Sequence, residues 1–212
     1  MHNKRTSLLM SRPNQLTVLR MALTPAFAVT LTYEETYWKY VAFGIFILAA
    51  LTDWYDGYVA RKDGTATQTG KYLDPLADKL LVSTAFGIFA FALEIMPIWM
   101  FLVVVSRDIM ITALRAYAIT TGKVFETNSF AKWKTACQMG CIFVLLLLIL
   151  AEQGFDSLIL QKIEAWGLVW NMMFLVTVYT LTTGIIYLYE NRPLLKSLAI
   201  AFYRVFVPTN VR

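Results

Sequence analysis

The sequence predicts an all-α integral membrane protein with six transmembrane helices and a short N-terminal juxtamembrane amphipathic segment. Three observations predict it. Of 212 residues, 58% are hydrophobic and only 16% are charged, whereas a soluble globular domain is roughly 45–50% apolar. The mean hydropathy is +0.57, which excludes a disordered chain. The apolar residues also gather in six stretches, each close to the ~20 residues a helix needs to cross the hydrocarbon layer. Those stretches leave no run long enough for a separate soluble domain, so residues 1–212 are expected to form one domain.

Residues 1–12 (MHNKRTSLLMSR) are basic and partly apolar, as expected of a strip lying on the membrane surface. They do not resemble a cleaved signal peptide, because Pro13 and Arg20 interrupt the apolar core and no small-residue cleavage site follows. Spans are expected at 15–33, 38–60, 73–95, 97–120, 132–152 and 166–189. In the fifth, Cys137 and Cys141 are one helical turn apart and read as small packing residues. With His2 as the only histidine, they cannot complete a zinc site, and Ser-His or Cys-His catalysis is excluded on the same ground.

The formal charge of +5 would suggest nucleic acid in a soluble chain. Here the basic residues cluster at span ends, and no nucleic-acid partner is expected. One side of the membrane receives Lys4, Arg5 and Arg12, then Arg61, Lys62 and Lys71, then Lys123, Lys132 and Lys134, and finally the tail with Arg192, Lys196, Arg204 and Arg212. The other side receives Lys39 and Lys162 alone. By the positive-inside rule both termini and the 61–72 loop are cytoplasmic, as in a bacterial inner-membrane protein. Arg20, Lys79, Arg107 and Arg115 fall within or at the edges of spans. Such groups either snorkel to the headgroups or mark a functional site.

The most informative stretch is LTDWYDGYVARKDGTATQTGKYLDPLADKL. Asp53 and Asp56 are i, i+3 near the end of the second span, and Asp74 and Asp78 are i, i+4 at the start of the third. Two antiparallel helices joined by a short loop would gather all four. Two like charges ~5–6 Å apart repel by roughly 3 kcal/mol at an effective dielectric near 20. Protonation of some of them is one escape; binding divalent cations is the other. All-oxygen ligation suits Mg²⁺, Mn²⁺ or Ca²⁺, and two such ions neutralise four carboxylates, as in sites that clamp phosphoryl oxygens. Gly57, Ala60 and Gly70 leave a small-residue groove that serves either a ligand or close helix packing. Arg61 adds a forked cation suited to phosphate.

The pattern Asp53-x2-Asp56-Gly57-x2-Ala60-Arg61-x8-Gly70-x3-Asp74-x3-Asp78 resembles, at every fixed position, the motif of the CDP-alcohol phosphotransferase family. Residues 13–20 (PNQLTVLR) look like the start of that family's first span. The segments 107–115 (RDIMITALR) and 132–139 (KWKTACQM) are similar to the branch that makes phosphatidylglycerol phosphate, with Asp108 and Ala131 where Glu and Gly are expected. The resemblance spans roughly residues 12–140. It implies two divalent ions, Mg or Mn, held by Asp53, Asp56, Asp74 and Asp78, with Asp78 doubling as general base. It also implies a nucleotide pocket of Gly57, Ala60, Arg61 and Gly70, with Asn14 and Thr17 close by, and a homodimer. The donor would be CDP-diacylglycerol, drawn from the surrounding membrane lipids.

Arg107, Arg115, Lys132 and Lys134 make a second cationic set, as expected for an acceptor that is itself a phosphate ester. This favours sn-glycerol 3-phosphate over serine, choline or ethanolamine. A phosphatidylinositol phosphate synthase and a cardiolipin-type synthase are the alternatives within the family. A small cation transporter using the Asp cluster is the alternative outside it, but it would be expected to bind ions at the bilayer midplane between repeats, and no repeat is visible.

Overall fold

A computed structural model describes residues 12–63, 70–122, 130–152 and 167–206. Its elements are helices: α1 Arg12–Thr32, α2 Thr36–Asp63, α3 Gly70–Phe91, α4 Ile98–Thr120, α5 Phe130–Ala151, α6 Leu168–Glu190 and α7 Arg192–Phe206. The side chains of 12–17, 53–54, 56–63, 70–78, 130–132 and 201–206 lie outside the described residues, as does the expected juxtamembrane segment before residue 12.

Helices α1 to α6 stand where the six apolar stretches predict them. The largest shift is at the end of α3, expected at residue 95 and found at Phe91. There the Ile88 carbonyl accepts the N–H groups of both Ala92 and Leu93, at 2.9 Å each, and Glu94 takes a left-handed backbone (φ 54°). Pro97 then precedes α4. Among the described residues, Trp133–Ala151 and Leu168–Glu190 are long and apolar enough to cross a membrane, while Val18–Thr32, Thr36–Thr52 and Lys79–Phe91 are shorter apolar runs. Charge separates α4 from the apolar pair, since Arg107, Asp108 and Arg115 ride on it.

The main core is built where α1 lies across α2 and α3 and where α5 closes over them. Phe27 and Phe46 meet with ring centroids 6.0 Å apart. Phe86, Phe89, Ile142, Leu145 and Leu146 fill the space beneath. Cys141 joins this core, while Cys137, one turn earlier, is exposed. Helices α4 and α5 both pack against α6. Around the start of α2, Tyr33, Tyr37 and Trp38 form an aromatic knot with centroids 5.2 and 5.5 Å apart, as expected of a membrane interface. Asp53 and Asp56 lie toward the opposite end of that helix.

The segment after the sixth stretch, read from the sequence only as a tail carrying basic residues, is helical. It is α7, two-faced: Leu194 is buried with Leu114 and Ala118 of α4, and Arg192 and Lys196 are exposed. The Tyr117 hydroxyl of α4 donates to the Ser197 carbonyl at 3.3 Å.

Phe46→Ala should lower stability in detergent by roughly 1–3 kcal/mol, below the soluble-core value because the unfolded chain keeps the ring in apolar surroundings and only the packing contribution is lost. Leu48→Ala, at a side chain 47% exposed, should leave the unfolding midpoint unchanged.

Candidate active site

The motif residues occupy facing ends of two consecutive helices. Asp53, Asp56, Gly57, Ala60 and Arg61 are in the last turns of α2, and Gly70, Asp74 and Asp78 are in the first turns of α3. The two helices are joined through residues 64–69, so both carboxylate pairs are at one end of the bundle. Their side chains lie outside the described residues, as do those of Asn14 and Thr17 on α1 and Lys132 on α5. Among the described residues, no group of three or more His, Cys, Asp or Glu stands together.

The residue after Asp78 links that end to a second polar assembly. The Lys79 ammonium donates to Thr112 Oγ1 on α4. Thr112 Oγ1 in turn donates to the Asp108 carbonyl at 2.6 Å, one helical turn back. The Asp108 carboxylate is buried and takes two cations through the same oxygen: Arg107 Nη1 at 3.1 Å, and the Lys134 ammonium of α5 in a closer contact. Arg107, Asp108 and Lys134 are 7%, 3% and 4% exposed, so all three depend on one another rather than on water.

On its far side Arg107 is held by α6. Its Nη2 donates to Thr183 Oγ1 at 3.3 Å, and its Cζ lies 5.6 Å from the centre of the Tyr187 ring. The Nε, also buried, has no hydrogen-bond partner among the described residues. Below this, Gln138 Nε2 of α5 donates to Thr180 Oγ1 at 3.4 Å. Thr177, Thr180 and Thr183 therefore form a buried polar stripe on α6 facing α4 and α5.

Among the described residues, Asp108 is thus one carboxylate shared by two cations, Arg107 and Lys134. Arg115, two turns along α4, is half-buried. Between α3 and α4 a groove of about 490 Å³ has Lys79, Ser83, Asp108 and Thr112 in its lining and otherwise apolar walls, including Leu80 and Ile109. That volume is in the range of small-molecule sites.

Of the expected acceptor-side residues, Arg107 and Lys134 are therefore brought together, while Arg115 stands farther along the same helix. Lys134, counted with a cytoplasmic loop on charge alone, is instead a buried side chain in the early part of α5. Lys79 contacts Thr112, while the side chain of its neighbour Asp78, which its charge would be expected to counter, lies outside the described residues. Sequence reasoning did not find the α6 contacts. Their only signal was the Thr177, Thr180, Thr183 spacing in an otherwise apolar helix.

A family model described as CDP-alcohol phosphatidyltransferase matches residues 10–187. The chain is 39% identical over 148 residues to the CDP-diacylglycerol–glycerol-3-phosphate 3-phosphatidyltransferase of Bacillus subtilis (strain 168), covering 64% of this chain and 76% of that protein. It is 38% identical over 144 residues to the protein of the same name from Pseudomonas fluorescens, covering 65% and 72%. It is also 37% identical over 151 residues to a cardiolipin synthase (CMP-forming) of Oryza sativa subsp. japonica, covering 65% and 46%.

Asp108→Leu strands two buried cations and should cost about 3–5 kcal/mol in an unfolding measurement. Asp108→Glu keeps the charge and should recover most of that loss.

Proposed function

The chain belongs to the CDP-alcohol phosphatidyltransferase family, and we propose that it transfers the phosphatidyl group of CDP-diacylglycerol to sn-glycerol 3-phosphate, giving phosphatidylglycerol phosphate and CMP. Relatives at 39%, 38% and 35% identity named for that donor and acceptor support the reading. All six helices α1 to α6 are read as membrane spans, with both termini and the carboxylate cluster on the cytoplasmic side of a bacterial inner membrane and the enzyme acting as a homodimer. The distribution of Lys and Arg supports that orientation.

The observation that carries the acceptor assignment is the contact from Lys79 to Thr112. It ties the residue next to Asp78 to the helix that bears Arg107 and Asp108. A hydroxyl nucleophile at Asp78 would thus have two buried cations, Arg107 and Lys134, within reach of its own phosphate. A neutral polyol or amino alcohol offers them no anion, and a phosphate ester does.

In the reaction, Asp78 takes the proton of the acceptor hydroxyl. The oxygen forms a bond to the β-phosphorus of the lipid, and the bond from that phosphorus to the bridging oxygen breaks as CMP leaves. Gly57, Ala60, Arg61 and Gly70, with Asn14 and Thr17, receive the cytidine diphosphate group. Arg107, Arg115, Lys132 and Lys134 hold the acceptor phosphate and orient its hydroxyl. The four carboxylates are an all-oxygen donor set suited to Mg²⁺ or Mn²⁺; Asp53, Asp56, Asp74 and Asp78 would hold two such ions, which supply neutralisation of the phosphoryl oxygens when bound.

CMP release from CDP-diacylglycerol by the purified chain, with glycerol 3-phosphate, inositol phosphate or phosphatidylglycerol as acceptor, tests the assignment. Release is expected with glycerol 3-phosphate and a divalent ion; release only with phosphatidylglycerol would favour the cardiolipin-type reading. Asp53→Ala and Asp74→Ala should each abolish turnover and divalent-ion binding together, and activity surviving either change would remove the two-ion argument. Arg115→Ala should raise the KM for glycerol 3-phosphate about tenfold, the weight of one charge-assisted hydrogen bond, with the KM for the lipid little changed.

A further inference from the structure

We propose that the Thr183–Gly184–Tyr187 face of α6 is a cradle that positions the Arg107 guanidinium for the acceptor phosphate. The inference rests on the glycerol 3-phosphate reading and adds to it residues that lie far from the aspartate motif.

An arginine side chain has several rotatable bonds, and a phosphate site gains affinity when they are fixed before the ligand arrives. Here each part of Arg107 meets a separate constraint. The stem runs along the backbone of α6 at Gly184, where a Cβ would lie 2.7 Å from Arg107 Cγ, 3.4 Å from Nε and 3.6 Å from Cδ. Only glycine leaves that passage open. The clash would fall on the stem rather than the tip, so relief would require moving the whole side chain. At the tip, Thr183 Oγ1 and the Asp108 carboxylate take one donor each, at 3.3 and 3.1 Å. The Tyr187 ring fixes the guanidinium from a third direction.

Two donors are committed in this way. The Nε hydrogen has no partner among the described residues although it is buried, and a guanidinium has five N–H groups in all. Unspent donor capacity in a dry site is costly unless an acceptor arrives. With Lys134 on the same carboxylate oxygen as Arg107, the fitting acceptor is an anion with several oxygens, such as a phosphate monoester. The cradle therefore acts through Arg107 and need not touch the substrate.

The test is steady-state kinetics on the full-length protein in detergent or lipid. Gly184→Ala should raise the KM for glycerol 3-phosphate about tenfold or more, the loss of one charge-assisted contact, and leave the KM for CDP-diacylglycerol within about twofold. Thr183→Val should show a smaller shift in the same parameter, and it carries the test alone should Gly184→Ala fail to fold. In an Arg107→Ala background, assayed at raised acceptor concentration, either substitution should add nothing, because the group it positions is gone. Equal effects on both KM values, or effects that simply add to that of Arg107→Ala, would overturn the proposal in favour of a packing role. Absence of glycerol 3-phosphate-dependent CMP release from the unmodified chain would instead overturn the functional reading beneath it.

Discussion

A carboxylate buried between two cations is the constraint on which this structure depends. Asp108 holds Arg107 on its own helix and Lys134 on α5, and through Arg107 it reaches α6. Helices surrounded by lipid gain little from hydrophobic association with one another, so polar contacts and close packing must choose their partners. Three helices are chosen here by a few side chains. The same contacts would be worth little on a water-exposed surface; away from water, losing one partner leaves a charge with nothing to answer it.

That constraint also explains how the two halves of the site relate. The aspartate motif lies at the end of α2 and the start of α3, in the half of the bundle built from α1, α2 and α3 around Phe27, Phe46 and Phe89. The cations belong to α4 and α5, braced by α6. Lys79 to Thr112 bridges the halves, and one helical turn separates that bridge from Asp108. A donor lipid gripped by the motif and a phosphorylated acceptor gripped by the cations would meet beside Asp78. Helix α7 supports α4 from outside, burying Leu194 against Leu114 and Ala118 within a turn of Arg115. It lies beyond the residues that match the family model.

Much of this was legible in the sequence because apolar runs leave a strong local signal. The six apolar stretches predicted the helices α1 to α6 closely, and the spacing of Asp53, Asp56, Asp74 and Asp78 identified the motif without any coordinates. What failed to show depended on contacts between distant segments or on mixed patterns. Helix α7 is too charged and too short to read as a span, and its alternation of Leu194 and Leu198 with Arg192 and Lys196 passed for a tail. Asp108 stood out only as a departure from the expected Glu, since nothing local says that a carboxylate on α4 will meet Lys134 on α5. Gly184 looked like any small residue in a membrane helix until Arg107 was found lying against it. Cys137 and Cys141, one turn apart, ended on different sides of the core boundary, a distinction finer than helical periodicity.

The most direct measurement of the central claim compares two acceptors that differ only in the phosphate. With CDP-diacylglycerol and a divalent ion present, transfer to glycerol 3-phosphate should far outrun transfer to glycerol at the same concentration, because only the phosphate ester offers an anion to Arg107 and Lys134. Comparable rates with the two would mean that the buried cations serve the fold alone, and the account of the acceptor site would be contradicted.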